Sequence, residues 1–189
     1  MCPINVTYVY QTLFDTPMPL YALGDLVPSI DPSAFIHPEA VIIGNVVIGA
    51  ESSIWPTAVL RGDHGQIRIG SQTSIQDGSI IHCTSEHHTI IGDRVVVGHN
   101  AHIEGSIIED DVLIGSGSVL MHRVIVHSRA LVAAGAVLTN DTIVPRNALA
   151  LGVPAKIKEN AVADGAFDWN VEMYVHNAAW YKKDLRRLD

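Results

Sequence analysis

Residues 108–138 read IEDDVL-IGSGSV-LMHRVI-VHSRAL-VAAGAV-L, and an aliphatic residue opens each block of six. The same period runs across residues 43–151. The aliphatic positions that keep it are Ile48, Ile54, Leu60, Ile69, Ile75, Ile81, Ile91, Val97, Ile103, Ile108, Ile114, Leu120, Val126, Val132, Leu138, Val144 and Ala150. A period of six is neither helical nor a simple strand alternation. It indicates a β-helix, a solenoid in which short strands stack coil upon coil.

Composition narrows the class of protein. The 189 residues suit one domain, and the 48% hydrophobic content with only 6% aromatics fits a thin core of Val and Ile. A net charge of −8 argues against binding to nucleic acid or to an anionic membrane surface. No apolar run has membrane-spanning length and the N-terminus lacks the shape of a signal peptide. With only Cys2 and Cys83, and so no disulfide framework, we expect a cytoplasmic protein.

The chain divides into three segments. Residues 1–30 read as an N-terminal lead-in without the period, residues 31–158 as the solenoid and residues 159–189 as a C-terminal segment of different character. In that last segment, apolar or small residues recur at helical spacing at Phe167, Asn170, Val171, Tyr174, Ala178, Tyr181 and Leu185. The predicted fold is therefore an all-β solenoid of hexapeptide repeats with one C-terminal α-helix that packs on it.

The period also predicts which polar residues stack. Because three hexads make one triangular coil, residues about 18 apart should lie ~4.8 Å apart on neighbouring coils. Two insertions, at residues 64–67 and 83–89, predict loops on one corner. Counting stacks Arg61, His82, Glu104 and Met121 there, and it places Asp77 beside His99 at a different corner. A metal ion could join the two corners only between subunits, in a contact that threefold closure would repeat.

Several motifs together resemble the γ-class carbonic anhydrases. They are Arg61-Gly62-Asp63, the run TSIQDG at residues 73–78, His82, Gly98-His99-Asn100-Ala101 and the run LALGVPAKI at residues 149–157. The resemblance covers nearly the whole chain. It implies a left-handed parallel β-helix that forms a homotrimer, with one metal ion per subunit interface held by three histidines. The metal would be zinc, or else iron or cobalt, and the substrates CO2 and bicarbonate.

The resemblance also implies roles for individual residues. His82 and His99 match the first two metal ligands, and Gln76 matches the catalytic glutamine that orients metal-bound solvent. Arg61 and Asp63 match the pair that ties adjacent subunits together, and Asp77 matches an acidic partner at the same interface.

The chain departs from the family pattern at two positions. Glu104 stands where the family has its third histidine, and Ser74 stands where it has an asparagine. Two histidines and a carboxylate form an accepted zinc site and also suit non-haem Fe(II). We therefore expect Glu104 to be both a ligand and a catalytic determinant, with CO2 hydration depressed because a carboxylate makes the metal a weaker Lewis acid. His102, two residues earlier, is the alternative ligand.

The other histidines and the function itself stay open. His87 and His88 are either loop residues at the surface or groups that overhang the site. His64 is either a residue of the subunit interface or a residue outside it. The residues His37, His122, His127 and His176 have no stacked partner by count and read as ordinary. The rival functions are a non-catalytic metal-binding or structural trimer and, with less support because the long loop is absent, a hexapeptide acyltransferase.

Overall fold

The structure, a computed structural model, describes residues 19–188. Over these residues the chain forms a left-handed parallel β-helix of about seven turns followed by one helix. Its strands are β1 Leu20–Tyr21, β2 Ser29–Ile30, β3 Phe35–Ile36, β4 Val41–Ile48, β5 Ser53–Ile54, β6 Val59–Ile69, β7 Ser74–Ile75, β8 Ile80–His82, β9 Thr89–Ile91, β10 Val96–Val97, β11 His102–Glu104, β12 Ile107–Ile108, β13 Leu113–Ile114, β14 Val119–Leu120, β15 Ile125–Val126, β16 Leu131–Val132, β17 Val137–Leu138, β18 Ile143–Val144, β19 Leu149–Leu151 and β20 Lys156–Lys158. Helix α1 is Asp168–Asp184.

The strands stack into three faces. The first face contains β1, the start of β4, the start of β6, β8, β11, β14 and β17. The second contains β2, the ends of β4 and β6, β9, β12, β15 and β18. The third contains β3, β5, β7, β10, β13, β16 and β19, and β20 pairs antiparallel with β19. We call the corner between the first and second faces the first corner, and the corner between the third and first faces the third corner.

The core is the column of aliphatic side chains that the period predicts. Each of the aliphatic positions that keep the period is at most 3% exposed. Within the short strands that carry them, successive side chains alternate between the core and the surface, so the residue before or after each core position is free to be polar. Because full burial of one such side chain stabilises by roughly 1.5–3 kcal/mol, this column holds the coils together.

The corners turn through residues in the left-handed region of backbone conformation. Examples are Thr57 at φ 61°, Gly78 at φ 71° and Arg123 at φ 63°. Glycine suits position 78 because of its positive φ, and a Cβ there would also force the carboxamide of Asn100 on the next coil to move. A β-branched residue such as Thr57 rarely adopts a positive φ, so its conformation is imposed by the stacked coils.

The structure refines the sequence predictions about organisation. Strands β1 and β2 pair in parallel with β4, so the solenoid begins within the predicted lead-in of residues 1–30. Residues 1–18 of that lead-in lie outside the described residues. The predicted insertion at 64–67 does bulge out of the first corner, although the structure includes it in β6: Gly62 pairs with Gly44 and Ile67 with Val46, so residues 63–66 lie opposite a single residue of β4. The predicted insertion at 83–89 does project, as the loop between β8 and β9.

Helix α1 packs on the third face of its own solenoid. Its Tyr181 ring lies 5.0 Å from that of Trp55 and 6.0 Å from that of Phe35, and Tyr174 lies 6.1 Å from Trp55. The helix begins beside an ion pair of 2.6 Å between Asp168 and Arg94. The predicted helix-spaced face is therefore the one that packs, although the helix is shorter than the predicted segment 159–189. Within residues 19–188, no helix has the length and apolar character to cross a membrane.

Candidate functional site

The first corner brings together residues from three consecutive coils. Arg61 in β6 is in register with His82 at the end of β8, and His82 is in register with Glu104 at the end of β11. The predicted stacking of these residues is confirmed. Asp63, the first of the residues that bulge from β6 at this corner, also faces the ring of His82.

His82 lies between two carboxylates. Its Nδ1 is 2.9 Å from Oε1 of Glu104 and its Nε2 is 3.0 Å from Oδ1 of Asp63. The other oxygen of Asp63 forms an ion pair with Arg61. Both ring nitrogens of a histidine can donate only when the ring carries two protons, so a cation placed between His82 and a carboxylate would take the place of one proton.

Both carboxylates are stabilised as anions. Burial raises the pKa of Asp63, but hydrogen bonds from His82 and Arg61 outweigh it and lower the pKa to about 2. Burial likewise raises the pKa of Glu104, but the hydrogen bond with His82 and the close, imperfectly aligned approach of His122 outweigh it, so this pKa lies below its ordinary value. The first corner therefore offers two negatively charged oxygen donors beside an imidazole.

The third corner carries the other predicted site residues. Nδ1 of His99 is 3.0 Å from Oδ2 of Asp77, which confirms the predicted pairing. Such a carboxylate fixes the ring and leaves Nε2 as the atom that can bind a metal, an arrangement typical of metal-ligating histidines. The His99 side chain is 52% exposed, so Nε2 is accessible to another molecule.

Gln76, also at the third corner, is buried beneath helix α1. Tyr174 of the helix hydrogen-bonds to Gln76, and burial, opposed by this bond, raises the pKa of the Tyr174 hydroxyl. The helical spacing predicts only a packing role for Tyr174. Its place in the packing face was the available signal, but the pattern did not show that its hydroxyl reaches Gln76.

His122 is a site residue that the sequence analysis treated as ordinary. Its Nε2 lies 3.3 Å from Oε1 of Glu104. Counting by register stacks Met121 on Glu104, so it gives His122 no partner. The turn after β14 nevertheless brings the side chain of His122 back toward Glu104. His102, the alternative ligand, lies 3.6 Å from Oε2 of Glu104, so the structure brings both candidates together. His127 was also read as unpartnered, yet it lies 2.9 Å from Glu109.

The remaining candidates occupy the edge of the first corner. The ring of His87 lies 5.7 Å from that of His122, whereas Nδ1 of His88 accepts a hydrogen bond from the backbone of Gln66. His64 is exposed and its backbone N–H donates to Asp63. Cys83, next to His82, is buried in the core as alternation predicts.

The candidate ligands thus form two groups within one subunit. His82 and Glu104 lie together at the first corner, and His99 lies at the third corner with Gln76 and Asp77. Within residues 19–188 of a single chain, no three histidine, cysteine, aspartate or glutamate side chains are grouped so that they could hold a metal ion. The roles of Arg61, Asp63 and Asp77 at a subunit interface stay predictions.

Comparisons with known proteins define the class. A family model described as "Bacterial transferase hexapeptide (six repeats)" matches residues 105–140, and one described as "Hexapeptide repeat of succinyl-transferase" matches residues 88–120. The carnitine operon protein CaiE of Escherichia coli K12 is 37% identical over 152 residues, which are 80% of this chain and 77% of CaiE. The chain belongs to the hexapeptide-repeat family that includes CaiE.

Two solved structures share the fold over most of their length. The BC4754 gene product of Bacillus cereus, provisionally named an acetyltransferase, has a TM-score of 0.83 and 33% identity over 86% of this chain and 96% of its own. A hexapeptide transferase family protein from Anaplasma phagocytophilum has a TM-score of 0.82 and 33% identity over 87% of this chain and 98% of its own.

Proposed function

We propose that this protein is a homotrimer that binds one divalent metal ion at each subunit interface and catalyses slow, reversible hydration of CO2. The ligands would be His82 and Glu104 of one subunit and His99 of the partner subunit. Zinc suits this ligand set, and Fe(II) or Co(II) suits it as well. We infer the reaction from the resemblance to the γ-class carbonic anhydrases, and we infer the ligands from the positions of these side chains in the structure.

The observation that carries the proposal is the division of the ligands between two corners. His82 and Glu104 are neighbours on one corner, and Asp77 orients His99 on another so that its Nε2 is available. Two corners of one prism cannot converge on a single ion, but corners of adjacent prisms can. A threefold ring of subunits repeats one such contact at each interface, and hexapeptide-repeat proteins are typically trimers.

The donor set predicts weak activity. A divalent metal ion bound at this site supplies a water molecule activated for attack on CO2, and a carboxylate ligand weakens that activation relative to imidazole. Gln76 lies at the same corner as His99, but it is buried beneath helix α1, so it would support this corner from within and not contact the metal-bound water. Tyr174 would hold the Gln76 side chain in place through its hydroxyl.

The first test is the metal content per chain of protein purified without added metal or chelator. We expect about one zinc, iron or cobalt ion per chain in the wild type and its loss in Glu104→Ala. Glu109→Ala is the matched control, because Glu109 pairs with His127 on another corner and its loss should leave the metal in place. Metal retained in Glu104→Ala would exclude Glu104 as a required ligand and favour His102.

A second test asks whether the site is shared between subunits. Trimers assembled from His99→Ala and Glu104→Ala chains contain an interface at which one subunit supplies His82 and Glu104 and the other supplies His99. We expect each variant alone to lack metal and the mixture to regain part of it. A mixture that stays metal-free although mixed trimers form would show that the ligands do not come from two subunits.

Acyl transfer is the second candidate function. It is favoured by the family models named for transferases and by the Bacillus cereus neighbour provisionally named an acetyltransferase. Coenzyme A binding measured by calorimetry would support it, and no binding of coenzyme A or acetyl-coenzyme A would argue against it. A metal-loaded trimer that turns over neither CO2 nor a thioester would leave a non-catalytic binding role.

A further inference from the structure

The two oxygens of the Glu104 carboxylate have different surroundings. Oε1 lies 2.9 Å from Nδ1 of His82 and 3.3 Å from Nε2 of His122. Oε2 lies 3.6 Å from Nε2 of His102, beyond hydrogen-bond distance. Two imidazoles of the same chain therefore engage one oxygen and leave the second open.

The approach to Oε1 of Glu104 is the main polar contact of Nε2 of His122. Its Nε2 is buried and makes no well-aligned hydrogen bond among the described residues. A buried imidazole nitrogen without a partner is destabilising, so a nitrogen this close to a carboxylate oxygen is favoured to align with it. A small rotation of either side chain would turn the contact with Glu104 into a regular hydrogen bond.

The backbone next to Glu104 leaves space for the His122 ring. Gly105 has φ 58°, and a Cβ there would lie 2.8 Å from Cβ of His87 and 3.0 Å from Cδ2 of His122. The absence of a side chain lets both rings approach the backbone after Glu104. Arg123, which forms two bonds to Asp141 at 2.6 and 2.9 Å, lies 3.2 Å from Nε2 of His87.

We propose that His122 is a positioning residue for Glu104: it holds Oε1 and leaves Oε2 as the single oxygen that binds the interfacial metal. This inference rests on the proposed metal site. Fixing the carboxylate through one oxygen prevents it from chelating the ion with both. Partners of this kind contribute about 10–100-fold in metal affinity.

The test is titration of chelator-stripped protein with cobalt(II) chloride, followed by the visible absorption bands, which report the ligand geometry. The variants are His122→Leu, which removes the donor, and His122→Gln, whose amide can still donate. The matched control is His127→Leu, since His127 lies 2.9 Å from Glu109 on a different corner. Circular dichroism and the trimer mass are recorded for each variant.

We expect His122→Leu to raise the cobalt Kd by about 10–100-fold and to shift the bands, and we expect His122→Gln to recover most of both. His127→Leu should match the wild type. Unchanged affinity and bands in His122→Leu, with cobalt lost in Glu104→Ala, would overturn the role of His122 and leave the metal site standing. Equal losses in His122→Leu and His122→Gln would also overturn it. A wild type that binds no cobalt would overturn both proposals.

Gly105→Ala provides an independent variant if His122→Leu does not fold. Its methyl group would press on His87 and His122 without altering any donor. We expect the cobalt bands to shift in a folded Gly105→Ala trimer. If His122→Leu does not fold, wild-type bands in Gly105→Ala overturn the proposal. If His122→Leu does fold, wild-type bands in His122→Leu, His122→Gln and Gly105→Ala together, with cobalt lost in Glu104→Ala, would show that nothing behind Glu104 sets its orientation.

Discussion

Truncation of Ile103 to alanine tests whether the stacked aliphatic column stabilises this solenoid. Ile103 is fully buried on β11, in register with Ile81 on one side and Leu120 on the other, and both of those are fully buried as well. The change removes three carbon atoms, a loss of about 2.4 kcal/mol at about 0.8 kcal/mol each. Stacked neighbours held by their own strands can relax little into the space, so the cavity brings the total to about 3–4 kcal/mol.

Urea unfolding at one fixed protein concentration measures this loss. Circular dichroism reports the strands, and tryptophan fluorescence reports Trp55, two coils away on the third face, together with Trp169 and Trp180 of helix α1. Ile107→Ala is the matched control, since Ile107 is the same residue type on the neighbouring strand β12 but is 45% exposed. We expect the control to lose less than about 0.5 kcal/mol. If Ile103→Ala lost no more than Ile107→Ala at an unchanged urea slope, the column would not be the source of stability.

Three further predictions concern the site, the helix and acid stability. Glu104→His should increase CO2 hydration per bound metal, and no increase in a metal-loaded variant would locate the defect elsewhere. Trp55→Phe should destabilise by roughly 2 kcal/mol, measured in urea, because the indole N–H donates to two buried serine hydroxyls at 2.9 and 3.0 Å. The hydrogen bond from His127 lowers the pKa of Glu109 below its ordinary 4.5, so Glu109 stabilises the fold above that pH and ceases to do so as the pH falls through the lowered value. Glu109→Gln should accordingly lose less stability than the wild type as the pH falls from above 4.5 through the lowered pKa, whereas equal acid sensitivity would contradict the contribution.

The sequence predicts the core and the stacked columns because both follow from one period. A hexad repeat fixes which residues are one coil apart, and this determined the neighbours His82 and Glu104 as well as Asp77 and His99. The handedness does not follow from the period. It entered through the resemblance and agrees with the fold.

The period fails where the chain stops repeating. It predicts that residues 64–67 project, and they do, but it does not predict that this insertion takes the form of a bulge within one strand, with β6 paired to β4 on both sides of it. It also cannot resolve contacts made one residue off register. His122 reaches Glu104 from a turn, and Tyr174 reaches Gln76 from a helix that lies outside the repeat.

The left-handed corner residues bear on how such a protein can change over time. Thr57 has a positive φ, which asparagine or glycine would adopt with less strain. It lies on a different coil from Glu104 and from His122. At corner residues of this kind, a substitution can increase the free energy of unfolding. A substitution that relieves strain there could offset a destabilising exchange at the polar corner, so the scaffold can explore new ligand sets without losing its ability to fold.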